Sequence, residues 1–128
     1  MKTKSLLFVL FCGLTACVSG IKQEDLLGRW NYVSYEYVNK SLDKPLANIA
    51  IQKPYIELSK DGTCKIVSSG KILSQGNYRL ENKIIRYTEE FADGQQRAIP
   101  FLIKSLTPKE LVFQTMDAEV KVITAVRD

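Results

Sequence analysis

The chain reads as an all-β protein, with eight short antiparallel strands in an up-and-down meander that closes into a small barrel. Three observations predict this. Apolar and polar residues alternate over short segments, the period of a half-buried strand. Turn residues punctuate the chain at short intervals, including two Asp-Gly pairs, Asp61-Gly62 and Asp93-Gly94. No long helical periodicity interrupts the pattern. Eight strands in roughly 100 residues suffice for closure, which removes exposed edges.

The strands follow in order. Arg29–Val38 is rich in Trp, Tyr and Val. Tyr55–Ser59 meets Thr63–Ser68 across "KDGT", where Asp61-Gly62 suits a tight hairpin. Leu73–Leu80 turns through "ENK" into Ile84–Glu90, and "ADGQ" leads on to Arg97–Leu106. Pro100 interrupts that strand and predicts an edge position or a bulge. "TPKE" turns into Leu111–Met116, and "MDAE" into Val120–Arg127. Alternation puts Ile56 with Leu58, Cys64 with Ile66, Tyr78 with Leu80, and Ile99 with Phe101 and Ile103 on inward faces. In the last strand Val120, Val122 and Val126 compete with Ile123 and Ala125 for the interior. One connection, residues 39–54, is too long for a hairpin. Leu46, Ile49 and Ala50 have the spacing of a single apolar-faced helical turn. They form either a lid or a plug at one end of the barrel.

Length and composition bound the function. The chain has 128 residues, enough for one domain, and is 45% hydrophobic. Of its 18 basic residues, Lys2 and Lys4 fall in a removable leader, leaving 16 against 14 acidic and a net charge of +2. The bases are scattered, so no nucleic-acid footprint is present. There is no histidine. That excludes Ser-His and Cys-His pairs and imidazole metal ligands. No Gly-rich phosphate loop occurs, so neither cofactor nor metal is expected, and nothing assembles an acid, a base and a nucleophile. The domain is expected to be non-enzymatic.

Residues 1–16 read as a signal peptide: two lysines, the apolar run Leu6–Leu14, then small residues. The run is well short of the ~20 residues of a membrane-spanning helix. The ending Leu14-Thr15-Ala16-Cys17 resembles the lipobox of bacterial lipoproteins. The resemblance implies that Cys17 is acylated and becomes the first residue of the mature chain. It implies a membrane partner, through acylated Cys17, and a lipid-anchored place in the cell envelope at the outer membrane. Two or more acyl chains give stable anchorage without a spanning segment. Residues 17–25 then form the lipidated cysteine and a short polar tether, and residues 26–128 the folded domain.

A second resemblance covers residues 26–127. "LGRW" places Gly28-x-Trp30 at the start of the first strand. "PYIELSKDGTCKI", "GNYRLENKI" and "IKSLTPKELVFQ" follow in matching order. Together they resemble the small lipocalin-like domains of bacterial lipoproteins. The resemblance implies a barrel floor in which Trp30 packs inside the closed end, Arg127 lies across it, and Gly28 permits close approach. The chain departs from typical lipocalins in its length, in lacking a long C-terminal helix and in lacking paired disulfide cysteines.

Five aromatic residues are candidates to line a ligand cavity: Tyr32, Tyr78, Tyr87, Phe101 and Phe113. Such residues are more often simply the core. Tyr35 and Tyr37 alternate with Ser34 and Glu36 and are expected on the outer face, where they would suit a protein contact. Glu89 and Glu90 are adjacent and read as solvated surface. Cys64 reads as a small buried apolar residue or, alternatively, a reactive thiol. Two readings of function stay open. One is binding of a small apolar or amphipathic ligand, which requires a partly empty interior. The other is an interaction or inhibitor module for an envelope protein, which requires a filled barrel and an exposed aromatic patch around Tyr35 and Tyr37.

Overall fold

The computed structural model describes residues 20–39, 48–116 and 119–127. Eight strands form one closed antiparallel barrel in simple sequence order. They are β1 (Gly28–Tyr37), β2 (Tyr55–Leu58), β3 (Thr63–Ser68), β4 (Lys71–Glu81), β5 (Ile84–Glu90), β6 (Gln96–Leu106), β7 (Glu110–Thr115) and β8 (Lys121–Arg127). Two single-turn helices accompany them: α1 (Gln23–Leu26) before β1, and α2 (Ile49–Gln52) between β1 and β2.

In a meander, alternate connections share an end. The β2–β3, β4–β5 and β6–β7 turns lie at the end where β1 begins, together with α1. The β1–β2, β3–β4, β5–β6 and β7–β8 connections lie at the other, with α2. We call these the floor and the mouth. Closure by β1 against β8, from Trp30↔Arg127 to Tyr37↔Lys121, leaves no edge strand. Pro100 therefore sits in a fully paired strand opposite Arg86, not at an edge. An antiparallel ladder has non-hydrogen-bonded pairs, where a missing N–H is tolerated.

Three register shifts break the alternation. One residue is extra at Val33 in β1, one at Leu73 in β4 and one at Lys104 in β6. A bulge exchanges the faces of everything beyond it. Trp30 and Tyr32 point inward before the β1 bulge. After it Tyr35 pairs with the buried Ile123 and packs against the core. The expected outward placement of Tyr35 is thus overturned by one inserted residue. Tyr37, paired with Lys121, shares the inward register. In β8 the competition resolves to Ile123 and Ala125 inside.

Local chemistry supports the turns. The Asp61 carboxylate accepts from Thr63 N at 3.0 Å and Thr63 Oγ1 at 2.7 Å, and Gly62 takes φ +90°. Gly76 sits where β4 crowds against β5. A Cβ there would collide with the Thr88 carbonyl oxygen on β5, so only glycine lets the two strands approach this closely. Leu26, the first residue expected in the domain, is fully buried, and Ile21, from the stretch expected as tether, also packs on the core.

Candidate functional site

The floor is tied together by hydrogen bonds from several segments. Trp30 is fully buried, and its indole N–H donates to Leu26 O at 2.8 Å. That bond satisfies the one polar atom such a side chain brings into a core. The Arg127 guanidinium lies over the indole, 4.1 Å from the ring centroid. It donates from Nη2 to Asp25 O at 2.7 Å and from Nη1 to Pro108 O at 3.3 Å, while its Nε is buried without a partner. One cation thus joins α1, the β6–β7 turn and β8. Gly28 adopts φ +117°, and a Cβ on it would stand 3.9 Å from Arg127 Nε. Tyr78 belongs here too. Its hydroxyl donates to Ser59 O at 3.0 Å and accepts from Gln23 Nε2 at 3.1 Å.

Above the floor the interior is occupied by rings. Tyr35, Tyr32, Phe113, Phe101 and Tyr87 form an unbroken chain, with successive centroids 6.3, 6.0, 5.2 and 6.0 Å apart. These are the separations of edge-to-face and offset-stacked aromatic pairs. Four of the five proposed cavity residues are therefore in contact with one another, and the fifth, Tyr78, lies below them. Burial raises the Tyr32 phenol far above its ordinary range, with Tyr35, Cys64 and Tyr87 adding to the effect. Burial alone pushes the Cys64 thiol up to about 12. It also takes Tyr87 to about 12, against the opposing hydrogen bond from Ser74. All three are neutral at pH 7, so Cys64 is a packed thiol and not a thiolate nucleophile.

The polar groups of the interior cluster toward the mouth. Ser74 Oγ and Tyr87 Oη share a 2.6 Å hydrogen bond. The Glu89 side chain is buried and accepts from Arg97 Nη2 at 2.9 Å. Reading Glu89 with Glu90 as solvated surface is incorrect for Glu89. It continues the inward series Ile85, Tyr87, Glu89 and is stabilised there by the cross-strand Arg97, whereas Glu90 is exposed. The alternation already carried that signal. The assumption that carboxylates face water concealed it.

The remaining candidates fall as follows. Ile49 packs against the core from α2, while Ala50 is exposed. Asn48 caps that turn through its side chain, which accepts from Ile51 N at 3.3 Å. Leu46 and Cys17 lie outside the described residues. Among the described residues no three metal-ligating side chains come together, and no helix is long and apolar enough to cross a membrane. The described residues include several surface grooves. One of about 700 Å³ lies against the floor, between Ile21, Lys83, Leu106 and Arg127. Another of about 520 Å³ runs over the outer wall at Gly76, between Glu57, Lys65 and Phe91.

The architecture is that of a small eight-stranded antiparallel β-barrel, compatible with a lipocalin-like binding fold. Comparison with protein families, with curated proteins and with solved structures finds no match to this chain.

Proposed function

We propose that this chain is an acylated lipoprotein of the cell envelope whose barrel is a non-enzymatic interaction module, engaging a protein partner and not enclosing a small molecule. The supporting observation is the ring chain from Tyr35 to Tyr87. Rings packed against one another along the interior favour a filled barrel over an enclosed ligand. The absence of histidine and the protonated state of Cys64 support a role without catalysis.

The anchor rests on the Leu14–Cys17 motif. Metabolic labelling with palmitate tests it: wild type incorporates label, and Cys17→Ser does not. Label retained by the variant overturns the anchor. The module reading is tested by titrating the soluble domain with N-phenylnaphthylamine, a fluorescent apolar probe. No saturable uptake is expected. Stoichiometric uptake would return the assignment to ligand binding.

That second reading has one observation in its favour. Tyr32 brings a phenol into the buried interior. With Ser74–Tyr87 and Glu89–Arg97 it would offer polar handles to a small amphipathic molecule in a shallow mouth.

A further inference from the structure

A sheet curled into a barrel turns its convex side outward, so a concavity on the outer wall needs a cause. Here β4 supplies two. Its ladder with β3 carries the extra residue at Leu73, and a bulge bends the strand that holds it. Further along, Gly76 lets β4 close onto β5 at Thr88. The groove of about 520 Å³ lies there, across the outer faces of β2, β3, β4 and β5. Its volume falls within the ~300–1,000 Å³ of small-molecule sites.

Strand register lines this groove with hydrogen-bonding side chains. Glu57, Lys65 and Gln75 are successive cross-strand partners on β2, β3 and β4. Thr63 and Asn77 form a parallel row two residues along. By alternation these five stand on the face opposite the buried Ile56, Cys64 and Tyr78. Glu90 from the end of β5 and Phe91, 42% exposed, join the lining. Several of the polar groups are already held in place. Asn77 Nδ2 donates to Glu90 Oε1 at 3.3 Å, and Lys65 Nζ pairs with Glu57 Oε1 at 3.3 Å. Groups fixed before binding lose little freedom when a ligand arrives.

The lining selects the chemistry of a ligand. An amide brings one acceptor oxygen and two N–H donors, and a carboxylate brings two acceptor oxygens. The Asn77–Glu90 pair therefore keeps both donors and acceptors to offer. Vicinal hydroxyl groups match such a pair, because each hydroxyl both donates and accepts. The two carboxylates oppose an anion, and the Lys65 ammonium opposes a cation. A wholly apolar ligand would take these polar groups out of water without partners. Phe91 adds an apolar ring with a negative face, which suits the C–H face of a sugar.

We propose that this outer groove binds a neutral saccharide, with the Asn77–Glu90 pair hydrogen-bonding to vicinal hydroxyls and Phe91 packing against the sugar ring. The site goes beyond the protein contact proposed above and depends neither on it nor on the Cys17 anchor. It lies outside the barrel, so a filled interior leaves it unaffected. Being open to solvent, it releases its saccharide on dilution, unlike a site enclosed in the interior.

The test applies the full-length protein, in a detergent without a sugar headgroup, to an array of neutral, acidic and amine-bearing oligosaccharides. Wild type should bind neutral members and gain nothing from added carboxylate, sulfate or amine groups. Asn77→Ala and Phe91→Ala should each lower that binding about tenfold, the loss expected on removing one hot-spot side chain. Lys109→Ala, in the β6–β7 turn, should leave it unchanged. All three positions are exposed, and circular dichroism verifies that the variants remain folded. No binding, binding confined to charged members, full binding by either Asn77→Ala or Phe91→Ala, or an equal loss in Lys109→Ala would each overturn the inference.

Discussion

The Arg127 guanidinium lies 4.1 Å above the Trp30 ring, and the two residues are direct cross-strand partners where β1 closes against β8. Barrel closure and floor sealing are therefore one interaction. Trp30→Ala should cost about 3–5 kcal/mol, the range for deleting a large buried aromatic. Arg127→Ala should cost less, and the pair should be coupled by about 0.5–3 kcal/mol, as residues in contact are. Urea unfolding of the two single variants and the double variant measures all three values. Additive losses would show that the stacking is incidental.

Gly76 allows β4 and β5 to approach where a methyl group would strike the Thr88 carbonyl. The obstacle is backbone in a paired strand and cannot swing aside. Gly76→Ala is expected to destabilise the domain by about 1–3 kcal/mol, typical of overpacking. Gly94→Ala tests the alternative of backbone conformation alone, since a Cβ there meets nothing and only the φ of +90° resists it. Gly76→Ala should be the more damaging in thermal denaturation.

The β1 bulge places neighbours in opposite environments. Tyr35 packs on the core, whereas Val33 is about half exposed. Val33→Ala should change stability by no more than about 0.5 kcal/mol, as surface substitutions do. Tyr35→Ala should cost at least about 1.5 kcal/mol, the lower end for burying a large side chain. Equal effects in chemical denaturation would contradict the assigned register.

Alkaline pH offers a test of the packed interior. Burial pushes the Cys64 thiol and the Tyr87 phenol up to about 12, above their ordinary 9.0 and 10.0, and raises Tyr32 further. The unfolded chain therefore loses protons first as pH rises. Stability from these groups is complete below about pH 8 and declines from pH 9 to 12. Cys64→Ala should flatten the lower part of that decline. A stability that stays level from pH 8 to 11 would show that these groups are in contact with water in the native state.

Much of the fold was legible because period-two alternation and turn chemistry are local. Ile56, Leu58, Tyr78 and Ile103 face inward as their spacing implies, and Asp61-Gly62 turns where its backbone freedom allows. The bulges were not legible. An extra residue at Val33 is defined by how β1 pairs with β8, nearly a whole chain away, and nothing local announces it. Glu89 differs: the alternation of β5 points it inward, and its partner Arg97 stands only eight residues on, in the next strand. Trp30 and Arg127 were named through resemblance alone. Their contact is a product of closure, which no single segment encodes.

The central claim is that the barrel is filled by its own aromatic side chains and works through its outer surface. Native mass spectrometry of the soluble domain, purified from its natural host, tests this most directly. The account predicts the mass of the polypeptide alone. A stoichiometric small molecule that persists under native conditions and is released on unfolding would contradict it.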